Sequence, residues 1–235
     1  MNQQVKHIQG IKILQMPGKN LVLNQRVTTA GLMRRSQPQR NMSRRATSSI
    51  QIDEGLVLRP ASMSHVSEII EAFEETWPDV IRAMPWINPD KEANPQIRDF
   101  IEDTERKGRA GMLHHWSMVR PWDGYVMGLV GFDRVTRSDD AVWNLGYWVR
   151  SSEQQHGIAR KSIDAVLHWL GKVDRVTVEL KVDPNNLPGK NTVLRAVRNW
   201  GGQRSVSGDV AITVAGIRTL HECHVIQVGP GLGPT

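Results

Sequence analysis

The sequence predicts an α+β domain, a mixed and mostly antiparallel central sheet flanked by helices in the order β-α-α-β-β-β-α-β-α-β-β. Three alternating segments, His114 to Arg120, Tyr125 to Val135 and Val142 to Arg150, are joined by connections too short for crossovers, so they form an antiparallel meander. A helical pattern at Gly157 to Leu170 then precedes the alternating run Val176 to Val182, and a crossover of that length requires a parallel pair. The first 52 residues contain no acid, which sets them apart from the rest.

The elements follow in order. Leu56 to Pro60 reads as a short strand stopped by Pro60, and Ser64 as the cap of a helix carrying Val66, Ile69, Ile70 and Phe73 at helical spacing. Pro78, Pro85, Pro89 and Pro95 break the next stretch into an irregular loop with short helical pieces. Ile97 to Lys107 is a second helix, ended by Gly108. In the meander, Pro121-Trp-Asp-Gly124 makes the first turn and Ser138-Asp-Asp140 the second. After the crossover helix and Val176 to Val182, Thr192 to Trp200 is helical and Gly201-Gly202 stops it. Val210 to Val214, a turn near Gly216 and Leu220 to Val228 form a closing hairpin, and residues 229–235 read as a flexible tail.

Composition excludes several function classes. With 235 residues, 39% hydrophobic and 23% charged, the chain suits one sizeable soluble domain with extensions. No apolar run approaches the ~20 residues a membrane-spanning helix needs. The single cysteine, Cys223, rules out an internal disulfide framework and a Cys-rich zinc module, in keeping with a reducing compartment. The net charge of +6 is unevenly placed. Residues 1–52 hold nine basic side chains and no acid, whereas residues 53–235 hold 21 basic and 24 acidic ones, a net of −3. The high pI therefore belongs to the first segment, and nucleic acid is a partner only through that segment.

The basic segment supports four readings: a disordered tail, an organellar transit leader, an arm that holds phosphates by charge, or an over-long start with Met42 as initiator. Within it, residues 5–14 have the pattern of a strand or a short docking helix. The expected division is residues 1–52 as basic tail or leader, 53–228 as the folded domain and 229–235 as a tail. The expected location is the cytoplasm, or an organelle if 1–52 is a transit peptide.

The stretch Leu145-Gly-Tyr-Trp-Val-Arg-Ser-Ser-Glu-Gln-Gln-His-Gly-Ile-Ala-Arg160 carries the chemistry. A strand runs into a loop, and a helix opens at Gly157-Ile-Ala159. Small residues there allow close backbone approach, and the unpaired first-turn amides with the helix dipole favour an anion such as a pyrophosphate. The loop lacks Gly-x-Gly-x-x-Gly and the Lys-Ser/Thr of a P-loop, which excludes dinucleotide and nucleoside-triphosphate readings.

Gln154-Gln-His-Gly157-Ile-Ala159 resembles the Gln/Arg-x-x-Gly-x-Gly/Ala signature of the GCN5-related N-acetyltransferases. "LVLRPAS", "LGYWV", "VELKVDPNNLPG" and "RNWGG" resemble segments of the branch that acetylates the N-terminal amines of ribosomal proteins, over Leu56 to Val228. The resemblance implies acetyl-CoA as co-substrate, wedged between the strand ending near Val149 and the strand Val176 to Val182. It implies pyrophosphate contacts from Gln154, Gln155, His156, Gly157, Ile158, Ala159 and Arg160, pantetheine contacts from Trp148 and Val149, and an Asn at the cofactor, placed at Asn186. An amine then attacks the thioester directly, with no covalent enzyme intermediate and no metal.

Two positions depart from that branch. Asn144 stands where many relatives carry Glu, and Gly189 where many carry Ser three residues after the Asn; Asn191 is an alternative match for the Asn. Tyr147 is a candidate acid, with core packing as the competing role, and Asn186 is placed beside the reacting thioester. Asp133 and Glu179 lie on strands within reach of the amine as candidate bases, or else as surface ion-pair residues. His221-Glu-Cys-His224 has the wrong spacing for a zinc helix and falls in a strand, where its two histidines face opposite ways. His114-His115 places one ring inward and one outward. Trp77, Trp86 and Trp122 fall in loops, where with Met84 and Pro85 they line a substrate pocket or cover the core.

The expected activity is acetyl-CoA-dependent transfer to a primary amine, on a protein N-terminus or a small molecule. The alternatives are a non-catalytic acyl-CoA-binding module and a protein whose basic arm binds nucleic acid or an acidic partner. A membrane partner is not expected, and the sequence does not decide between a monomer and a homodimer.

Overall fold

Alternating side chains, turn residues and one crossover build a nine-stranded sheet. The computed structural model describes residues 45–135, 142–214 and 216–234. The second meander turn at residues 138–140 and the pattern at residues 5–14 lie outside them.

The strands are β1 (Ile50–Asp53), β2 (Leu56–Pro60), β3 (His114–Val119), β4 (Val126–Arg134), β5 (Val142–Val149), β6 (Val176–Val182), β7 (Gln203–Arg204), β8 (Val210–Val214) and β9 (Ile217–Val228). They lie in the order β1-β2-β3-β4-β5-β6-β9-β7, with β8 paired to β9. The meander β3-β4-β5 is antiparallel, as its short connections require. The crossover from β5 to β6 is the parallel pair. Both expectations are met. The helices are α1 (Val66–Thr76), α2 (Ala93–Arg109), α3 (Ile158–Gly171) and α4 (Leu187–Asn199).

Several boundaries move, each for a local reason. Ser62, not Ser64, is the first cap: its hydroxyl accepts from the Ser64 amide, and a 3₁₀ turn at Met63–His65 precedes α1. Helix α2 begins at Ala93, because Pro95 fits a first turn whose amides need no helical acceptor. For the same reason α4 begins at Leu187 rather than Thr192, with Asn186 as cap and Pro188 in the first turn.

The largest change is at the start of the domain. Strand β1 pairs with β2, so the expected boundary at residue 53 cuts through a hairpin whose turn is tied by the Gly55 amide on Asp53 Oδ1. Upstream residues are also embedded. Trp116 Nε1 donates to the Ser48 carbonyl at 2.8 Å, Trp169 Nε1 to Ser48 Oγ at 3.0 Å, and the Arg45 guanidinium lies 3.4 Å from the Trp169 ring centroid. At the other end Gly229 is wedged against Gly171 and Arg175, so the chain is packed one residue into the expected tail.

The core lies on both faces of the sheet. Helices α3 and α4 cover Leu58, Trp116, Phe132, Leu145, Val178, Leu180 and Ile226. Helices α1 and α2 cover Val57, Val119, Val126, Leu129 and Trp148. Each such side chain contributes roughly 1.5–3 kcal/mol by leaving water, which holds the helices to the sheet.

Candidate active site

The loop from β5 to α3 is anchored from below. Arg150 is buried, and its guanidinium binds Glu71 at 2.5 Å and also pairs with Glu75, both on α1. Glu75 further accepts the Ser152 amide at 3.0 Å. Burial works against the Arg150 charge, but the two carboxylates outweigh it and raise its pKa. Ser151–Glu153 form a 3₁₀ turn, and Gln154 Nε2 donates to the Val149 carbonyl at 3.1 Å.

The chain then turns twice through left-handed conformations, at Gln155 (φ 65°) and at Gly157 (φ 76°), which caps α3. A side chain at 157 would meet nothing within 4 Å, so the backbone angle and not crowding selects glycine. The amides of Ile158, Ala159 and Arg160 have no acceptor within the helix. Gln154, Gln155, His156 and Arg160 are exposed around them, while Ile158 is buried in the core. Open space before a helix N-terminus suits an anion.

Beside this loop the sheet parts. The register of β5 with β6 runs from Val142↔Thr177 to Leu145↔Leu180 and ends there. With β4, β5 stays paired to Gly128↔Val149. The Arg150 amide donates to the Met127 carbonyl at 2.8 Å, which makes Val149 and Gly128 a non-hydrogen-bonded pair. The main-chain polar groups of Tyr147 and Val149 therefore face the gap left by β6, and those of Trp148 face β4. Accordingly, a Cβ on Gly128 would stand 2.2 Å from the Trp148 carbonyl oxygen. The Trp148 side chain packs under α1 and α2, with its Nε1 unpartnered.

On the α1/α2 face, two glycines stand side by side in the register Gly131↔Gly146. The His115 ring occupies the space above Gly131, its Cδ2 lying 1.8 Å from where a Cβ would be. Above Gly146 nothing lies within 4 Å. His115 Nε2 is 3.3 Å from Asp133 Oδ1, and its ring packs on Phe100 of α2, which stacks on Trp86. Burial works to raise the Asp133 carboxyl, but His115, then Lys107 and Lys181, outweigh it and hold it below the usual range. Next along the sheet come Asn144 and Glu179, in register with each other; Lys181 donates to Asn144 Oδ1 at 2.8 Å and pairs with Glu179 at 2.9 Å.

Tyr147 points to the opposite face, and its hydroxyl donates to the Gly189 carbonyl at 3.4 Å. Burial raises its pKa, with a hydrogen bond to Thr192 acting the other way. Asn186 Oδ1 accepts the Gly189 amide at 3.1 Å. A Cβ at 189 would stand 2.7 Å from Asn186 Nδ2, so a side chain there would have to shift the capping amide. His221 and His224 are buried on β9, the former 3.1 Å from the Thr219 carbonyl and the latter 3.6 Å from Glu222. His114 is the inward ring of its pair and is buried; His115 lies on the other face and is largely covered as well. Among the described residues no helix is long and apolar enough to cross a membrane.

The left-handed turn at Gly157 and the helix start after it were legible as a motif. The Gly131–Gly146 floor and His115 were missed, because only cross-strand register brings residues 115, 131 and 146 together.

Comparisons with known proteins agree with this geometry. The acetyltransferase (GNAT) domain family matches residues 55–196, more than half of the chain. A ribosomal-protein-serine acetyltransferase of Escherichia coli (strain K12) is 24% identical over 163 residues, covering 65% of this chain and 82% of that protein. The ribosomal-protein-S5-alanine acetyltransferase of Vibrio fischeri has a TM-score of 0.61 at 15% identity, over 79% of this chain and 99% of that one. The microcin C7 self-immunity acetyltransferase MccE, solved with acetyl-CoA and AMP, has a TM-score of 0.64 at 17% identity, over 76% and 95%. At those identities the two structures speak for a shared fold. With the family match over more than half of its length, and with its fold and parted strands, the chain belongs to the GNAT acetyltransferase family.

Proposed function

We propose that this acetyltransferase moves the acetyl group of acetyl-CoA to a primary amine, with a protein N-terminus as the acceptor. The observation that carries the reading is the gap between β5 and β6 opening beside the exposed N-terminus of α3. The amides of Gln155 to Arg160, flanked by Gln154 and His156, hold the pyrophosphate. The main chain of Val149 and Tyr147 holds the pantetheine arm and polarises the thioester carbonyl. Trp148, whose main chain is committed to β4, contributes packing instead. Asn186 directs its Nδ2 to the cofactor arm while its oxygen caps α4. Tyr147 keeps its proton at neutral pH and serves as the acid for the departing thiolate.

The acceptor class rests on the curated relative's name and on charge. The domain's net of −3 and the exposed Glu68 and Glu74 of α1 suit a cationic peptide. The test is calorimetric titration with acetyl-CoA and with CoA, followed by thiol release on peptides with N-terminal Ser or Ala and on benzylamine. Binding with turnover that prefers the peptides supports the reading, and absent binding overturns the loop assignment. A second reading, a non-catalytic acyl-CoA-binding module, draws on Asn144, an amide held by Lys181 at a position where the family resemblance leads one to expect Glu in many members. Tight binding with no turnover would select it.

A further inference from the structure

An ammonium must lose a proton before its nitrogen can attack a thioester, and the carboxamide of Asn144 has no basicity to take it. Three groups nearby do. Glu179 is tied to Lys181 at 2.9 Å and keeps only 16% of its side chain exposed. Asp133 is held below the usual carboxylate range by its interaction with His115 and then by Lys107 and Lys181, which suits it to orient a partner better than to accept a proton. The third is the His115 imidazole, seated on Gly131, directly across the strands from the open floor at Gly146.

The placement is specific. Gly146 follows Leu145, the last residue of β5 paired with β6, so the open floor lies where the gap begins. A side chain at 131 would evict the His115 ring, and a side chain at 146 would enter the open space beside it. Phe100 and Trp86 wall the ring on the α2 side, and Trp148 closes the far end with an unpartnered Nε1. Asp133 of β4 faces His115 Nε2, with Lys107 of α2 and Lys181 of β6 acting on Asp133, and His114 adjacent in β3. A hydrogen bond from Nε2–H to Asp133 would leave Nδ1 as the proton acceptor.

Building on the acetyl-transfer reading, we propose that His115, oriented by Asp133, is the general base that takes the proton from an acceptor ammonium lying over Gly146. The freed amine nitrogen bonds to the thioester carbon and the carbon–sulfur bond breaks. His115 passes the first proton to solvent, and the second proton, lost from nitrogen as the amide forms, replaces the one Tyr147 gives to the departing thiolate.

The test uses the full chain, acetyl-CoA and a peptide with a free N-terminal serine. His115→Gln is expected to lower kcat about 100-fold at pH 6.5 while leaving acetyl-CoA affinity unchanged. The deficit should shrink to about 10-fold or less at pH 9, because an ordinary α-amine, of pKa about 8, is then already free. Gly146→Val, whose Cβ meets no atom within 4 Å, should raise the peptide KM about 10-fold with unchanged acetyl-CoA affinity. If His115→Gln does not fold, Asp133→Asn must show the same pH-dependent deficit at smaller size. A deficit equal at every pH, or undiminished activity, overturns the base assignment alone. A wild-type chain that binds acetyl-CoA and acetylates none of the peptides or benzylamine overturns both this assignment and the catalytic reading. A wild-type chain that fails to bind acetyl-CoA overturns the cofactor site, and the base assignment falls with it.

Discussion

The two edges of β5 have different fates. Against β4 it is paired along its whole length, down to Gly128↔Val149, and against β6 only as far as Leu145↔Leu180. The closed side of the sheet is further sealed by β1 and by Ser48, which accepts from two buried indoles. The open side leaves main-chain groups of Tyr147 and Val149 without a strand partner, beside a helix start whose amides also lack one. Stability resides where backbone pairing is complete, and binding capacity where it is interrupted. An unmade backbone hydrogen bond is costly unless a ligand or water supplies it, so such a gap is a poised recognition element.

Perturbing the closed side should give the largest effect. Deleting residues 1–52 removes β1 and both indole acceptors, and at roughly 1–3 kcal/mol per orphaned buried group it should cost about 4 kcal/mol. Deleting residues 1–41 should leave the urea midpoint unchanged. Equal midpoints for the two truncations would show that the closed side does not depend on its first strand.

Next in size is an acid-sensitive contact on the same side. His114 accepts or donates at Thr47 Oγ1, 2.9 Å away, and is pushed down to about 4 by burial, with the charges of Arg45 and His115 adding to it. The folded state therefore binds its proton less readily than the unfolded chain. This contribution is complete above about pH 6.5 and is lost as pH falls toward about 4, a change of about 3 kcal/mol. Urea unfolding from pH 7 to 4.5 should show that slope, and His114→Gln should flatten it.

The open side is sharpened by smaller changes. Gly157→Glu puts a carboxylate and an unfavourable φ at the anion loop, and should weaken acetyl-CoA binding about 100-fold, near 2.7 kcal/mol, with the calorimeter as judge. Gly189→Ser restores the hydroxyl common among relatives but displaces Asn186 from its cap, and should cost about 1 kcal/mol in thermal unfolding. Unaltered stability there would mean that the cap is dispensable.

Much of this was legible without coordinates. The meander, the crossover and the α3 start follow from alternation, turn residues and Gly157, all of which act within a few positions of the chain. Helix starts were read late, at Ile97 and Thr192, because Pro95 and Pro188 look like breakers until their place in a first turn is seen. The start of the domain was read late for a different reason. A basic, polar segment gives no period, yet Ser48 and Arg45 are held by tryptophans 68 and 121 to 124 positions away.

By itself the sequence determined the fold class, the strand directions and the turn at Gly157 that opens α3, since these depend on local geometry and connection length. Only the tertiary structure decided where β5 leaves β6, which peptide groups of Tyr147, Trp148 and Val149 face the gap, and that His115 rests on Gly131 beside an open Gly146. Those are matters of register between strands, and register is set by side chains far apart in the chain meeting across the sheet.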